Sequence, residues 1–240
     1  MTASSFGHIL VPGVIQLAER IVTTHMNITF RTIASALLVV LGATLATTSP
    51  ALAHRPAFSG GHTGPESAYV IEDVTHSMVL YQEIGCPAAQ LWLRFDRPTA
   101  DVPLYVQLGV PVIPRLADYR PVVAVLAPGL PVAPDGLPFA VPEGLGVLVL
   151  DSNEVPGEFN EPFTGTRSWV LREETLSLSL PGAGYVVAWH PGGQSGKLWV
   201  ALGTKERFSL MDLLRFPGWR TEARRFHETD GVTSSACTTR

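Results

Sequence analysis

The residue with the sharpest chemical potential in this chain is a histidine that export would turn into an N-terminus. Ser49-Pro50-Ala51-Leu52-Ala53 ends in an Ala-x-Ala pattern, and cleavage after Ala53 would leave His54 with a free α-amine. An α-amino nitrogen and an imidazole nitrogen on one residue can chelate one metal ion, and the pair suits Cu(II), which favours tetragonal N/O ligation. Further ligands would be needed. His62, His76, His190 and His227 lie downstream, at no familiar ligand spacing. His54, His62 and His190 are therefore the candidate metal ligands, and copper is the one cofactor these residues suggest. The alternative is that His54 is simply the residue that follows a cleavage site.

Other constellations are weaker. His190, in Trp189-His190-Pro191, falls at the end of a strand-like run, where it would line a ligand pocket or, as we expect, cap a turn. Asp151, Asn153, Glu154, Glu158, Asn160 and Glu161 form an acidic stretch. Clustered oxygen ligands suit Ca²⁺, but the Gly and terminal Glu of the twelve-residue calcium loop are missing, and a solvated loop is expected. Glu158, Glu161, Glu173 and Glu174 could supply paired carboxylates for glycoside hydrolysis, although such residues are ordinary on a net-acidic surface. Gly193-Gln194-Ser195-Gly196 is one residue short of a nucleophile elbow and reads as a hairpin turn. Trp92, Trp169, Tyr185, Trp189 and Trp199 lie in or beside strand-like runs, and most should be core. Trp169 and Trp189 are the candidate ligand-binding residues, because two tryptophans sharing an exposed face would make a sugar-stacking platform.

These residues need elements to position them. Arg31 precedes a largely apolar stretch, Ile33 to Leu45, which with the Ala-x-Ala pattern reads as a signal peptide over residues 26–53. Met26 is the expected true start, which makes residues 1–25 a non-native extension. The stretch is short for a membrane span, which needs about 20 apolar residues. Membrane attachment would arise only if the signal stays uncleaved. The expected location is the periplasm or the extracellular space.

The remainder, residues 54–240, suits one domain. The chain as a whole has 17 Lys and Arg, 21 Asp and Glu and a formal net charge of −4, so no basic patch invites nucleic acid. Hydrophobic residues make up 46% of it, which favours an ordered domain over a disordered one. Cys86 and Cys237 could form a disulfide after export or stay free, and no Cys-x-x-Cys motif is present.

Residues 54–67 are rich in Gly, Pro and His and read as an extended lead-in. Short strand-like runs then recur. In Leu104 to Val110, Leu104, Val106, Leu108 and Val110 alternate with Tyr105, Gln107 and Gly109, the period-two pattern of a half-buried strand. Val122 to Leu126 and Gly146 to Leu150 are continuous apolar runs suited to central strands. Dense Pro and Gly between the runs exclude long helices and mean a β-sandwich or barrel, of which a sandwich at residues 68–208 is the expectation. The Pro-rich stretch from Pro111 to Pro142 would be a functional surface or a rigid cover over one sandwich end. A helical appendix is expected at 209–228, with Ser209 capping Leu210 to Arg215, Pro217 stopping that helix, and a second short helix beginning at Trp219. Residues 229–240 read as a disordered tail.

Leu178 to Trp189, with Pro181-Gly182-Ala183-Gly184-Tyr185 at its centre, leads into Gly192-Gly193-Gln194-Ser195-Gly196-Lys197-Leu198-Trp199-Val200. This pair resembles the closing hairpin of bacterial pre-peptidase C-terminal-like sandwich domains, and Leu91-Trp92-Leu93-Arg94-Phe95 is similar to an earlier strand of theirs. The resemblance covers roughly Ile71 to Gly203, and a long insertion, Pro111 to Thr166, departs from that pattern. The chain is also similar to a group of exported bacterial proteins in Val110-Pro111, Pro128-Gly129-Leu130-Pro131 and Phe163-Thr164-Gly165-Thr166.

The fold expected is all-β, an antiparallel sandwich of jelly-roll or immunoglobulin-like type with about eight to ten strands and a short C-terminal helical appendix. The resemblance implies a non-catalytic accessory or binding module; with the export signal and the loops and aromatic residues, a cell-envelope protein whose partner is an envelope protein or a glycan is expected. A periplasmic copper-binding protein is the alternative.

Overall fold

The computed structural model describes residues 54–58, 60–85 and 89–231. Residues 1–53, which include the segment read as a signal peptide, and Cys86, Cys237 and the rest of residues 232–240 lie outside them. Among the described residues, eleven strands form two sheets. The six-stranded sheet, sheet A, runs in the order β1 (Arg55–Phe58), β3 (Met78–Ile84), β11 (Gly196–Leu202), β5 (Leu104–Pro111), β9 (Thr166–Leu176), β8 (Gly157–Glu161). The five-stranded sheet, sheet B, runs β2 (Tyr69–Val70), β4 (Gln90–Arg97), β10 (Gly182–Trp189), β6 (Val122–Ala127), β7 (Gly146–Leu150). Within these, β3-β11-β5-β9 and β4-β10-β6-β7 give the connectivity of an eight-stranded jelly roll, so the sandwich is of that type. It is not antiparallel throughout, because the short strands β1 and β2 add to β3 and β4 in parallel.

The inner faces of the two sheets make the main core. Leu104, Val106, Leu108 and Val110 of β5 are all fully buried, as their alternation requires. They meet Leu80 of β3, Leu198, Val200 and Leu202 of β11, and, from sheet B, Leu91, Leu93 and Phe95 of β4 with Val186 and Ala188 of β10.

Both outer faces are also covered in part, which explains strands buried at every position. Every residue of β6 and of β11 is buried. Trp92, Ala124, Leu126, Val187 and Trp189 on the outside of sheet B pack under Leu137, Phe139 and Val141 of the Pro-rich stretch. Phe139 sits edge-on to both Trp92 and Trp189, with ring centroids 5.2 Å away in each case. That stretch therefore covers a face of the sandwich rather than one end.

The outside of sheet A is covered by one helix, α1 (Leu210–Phe226). Ser209 caps it in a reciprocal capping box with Asp212, where an aspartate stands in place of the usual Glu or Gln. The helix passes through Pro217 instead of stopping there, so the two short helices expected are one. An interior proline costs about 3 kcal/mol. Phe216 and Trp219, on either side of it, both line the space between the helix and the sheet, with ring centroids 5.6 Å apart.

Two further differences concern segments read as irregular. The lead-in carries β1 and a short 3-10 turn at Pro65–Ser67. The acidic stretch contains β8, an edge strand whose residues are all exposed or half-buried, so its apolar periodicity is weak. No helix among the described residues is long and apolar enough to cross a membrane.

Candidate functional site

Where α1 crosses the outside of sheet A, the two do not close completely. A cavity of about 310 Å³ remains between them. Its floor is Val79 and Tyr81 of β3 and Trp199 of β11; its roof is Leu213, Phe216, Trp219 and Ala223 of α1 with His227 beyond it. Phe159 and Glu161 of β8, Phe163, and Phe208 close the sides, with His54 at the rim. The aromatic residues pack in a series, with Phe216 5.1 Å from Phe163, 5.5 Å from Phe208 and 5.6 Å from Trp219, centroid to centroid. The size falls at the lower end of the range for small-molecule sites.

The polar groups in this wall are mostly satisfied by one another. His227 Nδ1 lies 2.8 Å from the Ala223 carbonyl oxygen, so that nitrogen carries the proton and Nε2 is an acceptor. The Ser168 hydroxyl donates to Nε2 at 3.0 Å and accepts from the Trp199 indole N–H at 3.0 Å. The result is a directed chain from sheet to helix, Trp199 to Ser168 to His227 to the α1 backbone. Burial holds the His227 imidazole neutral, its pKa lowered to about 4, with the nearby Lys197 charge acting in the same direction and the Ala223 bond opposing it. The Thr164 and Thr166 hydroxyls bond each other at 2.7 Å. Trp199 can lie flat here because residue 109 is glycine: a Cβ at Gly109 would stand 2.1 Å from the indole Cζ2.

Glu161 is different. Its Oε1 accepts the Phe163 backbone N–H at 3.0 Å, and among the described residues it forms no ion pair. Burial pushes its carboxyl up, the Phe163 bond opposes this, and the negative charge of Glu206 adds to it. Among the described residues, no lysine or arginine lines the cavity.

The structure puts the sequence candidates in separate surroundings. His54 reaches this cavity, and its Nδ1 is hydrogen-bonded to Ser77 Oγ. Burial lowers its pKa against the opposing charges of Glu206 and Glu173. His62 bonds the Ser67 carbonyl at 2.6 Å and meets the edge of Tyr69. His190 accepts the Gly192 and Gln194 N–H groups at 3.1 and 3.2 Å while stacking on Tyr119, which is the expected turn cap. Among the described residues, no three His, Cys, Asp or Glu side chains gather as a metal site. Trp189 is buried under Phe139, and Trp169 is half-buried against the main core. Of the glutamates, Glu158 pairs with Arg167 and Glu174 with Arg172, while Glu173 accepts from Gln107.

Sequence reasoning did not assemble this cavity. Trp219 reads locally as helix and Glu161 as loop. Their meeting depends on the β8–β9 pairing, which sets Glu161 opposite Thr166, and on how α1 lies over the sheet. No local spacing encodes either. In comparisons with known proteins, no family model and no curated protein matches this chain.

Proposed function

We propose that this protein is an exported, non-catalytic binding protein of the bacterial cell envelope, and that its ligand is a small, largely apolar molecule held between sheet A and α1. The observation that carries this reading is the cavity itself, a concave, aromatic-lined space among groups that mostly satisfy one another. The leader at residues 26–53 and the resemblance to pre-peptidase accessory domains support export and an accessory role.

The test uses N-phenylnaphthylamine, whose fluorescence rises in an apolar site. We expect saturable binding to the full chain, lost or much weakened by Phe216→Ala and by Leu213→Asn. No binding, or equal binding by both variants, would remove the cavity as the site. Intact mass of protein exported from its native host tests the leader: a chain beginning at His54 is expected, and an unprocessed chain retained inside the cell would overturn export.

A further inference from the structure

The cavity has a chemical bias beyond being apolar. Among the described residues, its wall combines Tyr81, Phe163, Phe216 and Trp219 with a single acidic side chain, Glu161, and includes no lysine or arginine. Aromatic rings attract a cation through their negative faces, by about 0.5–2 kcal/mol each depending on how dry the site is. A carboxylate that is half-buried and outside any ion pair adds attraction of the same sign. The Glu206 charge acts on Glu161 and His54 at one side of the wall, and the Lys197 charge acts on His227 at the other. Burial favours the neutral imidazole at both wall histidines, and cleavage before His54 would add its α-amine at the rim.

The hydrogen bonding narrows the class of cation. A primary ammonium has three N–H groups and needs three acceptors. Here Thr164 and Thr166 bond each other, Ser168 lies between Trp199 and His227, and His54 bonds Ser77, so a primary ammonium would have to share acceptors already engaged within the wall. A cation without N–H groups needs no acceptor and still gains from rings and carboxylate. We infer that the cavity between sheet A and α1 binds a quaternary ammonium group, with Glu161 as its counter-charge and the Phe163, Phe216 and Trp219 rings as its walls. This inference rests on the cavity being the binding site.

Calorimetry on the full chain with choline, and with dimethylbutanol in which carbon replaces the nitrogen, separates charge from shape. We expect choline to bind roughly tenfold more tightly than its uncharged isostere. Glu161→Gln should remove most of that difference and leave dimethylbutanol unchanged. Trp219→Leu, which keeps apolar bulk, should weaken choline more than the isostere, and it provides a second readout if the Glu161 variant folds poorly. Equal affinity for the two compounds, or a preference that survives both substitutions, would overturn the cation assignment while N-phenylnaphthylamine binding upheld the cavity. If neither compound binds and the dye still does, the cation assignment fails alone; if the dye fails too, both readings fall.

Discussion

Lys197 Nζ and Glu228 Oε1 lie 2.8 Å apart with both side chains nearly shut off from solvent, 1% and 8% exposed. Arg115 closes the cluster with two 2.6 Å bonds to the same carboxylate, and Lys197 also donates to the Phe226 carbonyl at 3.0 Å. The cluster ties the C-terminal end of α1 to β11 and to the turn after β5. It also holds Glu228 at φ 55°, which an unconstrained glutamate rarely adopts. Burial raises the Glu228 carboxyl, but the bonds and charges of Arg115 and Lys197 outweigh it and hold the group below its ordinary value.

Removing one partner of this pair strands the other charge. Glu228→Ala should destabilise the protein by about 3–5 kcal/mol. Lys197→Met combined with Glu228→Gln should recover part of that loss, because no buried charge is then left bare. Urea unfolding of the two variants and the parent measures both. Equal losses for single and double variants would show that the pair does not hold the helix.

His227 makes stability depend on pH. Its folded value of about 4 lies below the ordinary 6.5, so between those limits the unfolded chain binds the proton more readily. Stability is therefore full above about pH 6.5 and falls as pH drops toward 4, by on the order of 3 kcal/mol for this group. His54, also lowered by burial, acts in the same direction. Melting temperatures from pH 7.5 to 4.5 should fall steeply for the parent and less steeply for His227→Gln. Parallel curves would assign the fall to other groups.

Gly109→Ala places a methyl group inside the Trp199 ring. The indole must move, and its bond to Ser168 goes with it. Overpacking of this kind costs about 1–3 kcal/mol. The variant should also show altered tryptophan emission and weaker dye binding. An unchanged emission spectrum with unchanged dye binding would contradict the floor described for the cavity.

Phe139→Ala removes the ring that lies against both Trp92 and Trp189 on the far side of the roll. A loss of about 1–3 kcal/mol is expected, with tryptophan emission shifted to the red as water reaches the two indoles. Dye binding should be unaffected, since this face is remote in structure from α1. A loss of dye binding in a folded Phe139 variant would couple two faces that the main core separates.

The jelly roll was legible where burial is one-sided or complete. Alternation in Leu104 to Val110 places β5 directly, and the continuous apolar run of Val122 to Leu126 marks a strand covered twice. What did the covering was not legible. Phe139 and Leu137 reach sheet B from a stretch with no periodicity, and Pro217 reads locally as a stop although Phe216 and Trp219 are packed through it. β8 and β1 escaped notice because edge strands with few buried residues leave little pattern. The cavity was less legible still. Glu161, Ser168, Trp199 and His227 come from three strands and a helix end, and only non-local pairing and helix docking bring them together.

The order of elements along the chain has a consequence for biosynthesis. The roll is complete at Leu202, but its Val79, Tyr81, Trp199 and Ala201 face stays bare until α1 arrives from the last part of the chain. A product that stops shortly after β11 would thus be a finished fold with an uncovered apolar surface, prone to self-association. For this protein a late nonsense codon is a solubility lesion rather than a trimmed tail.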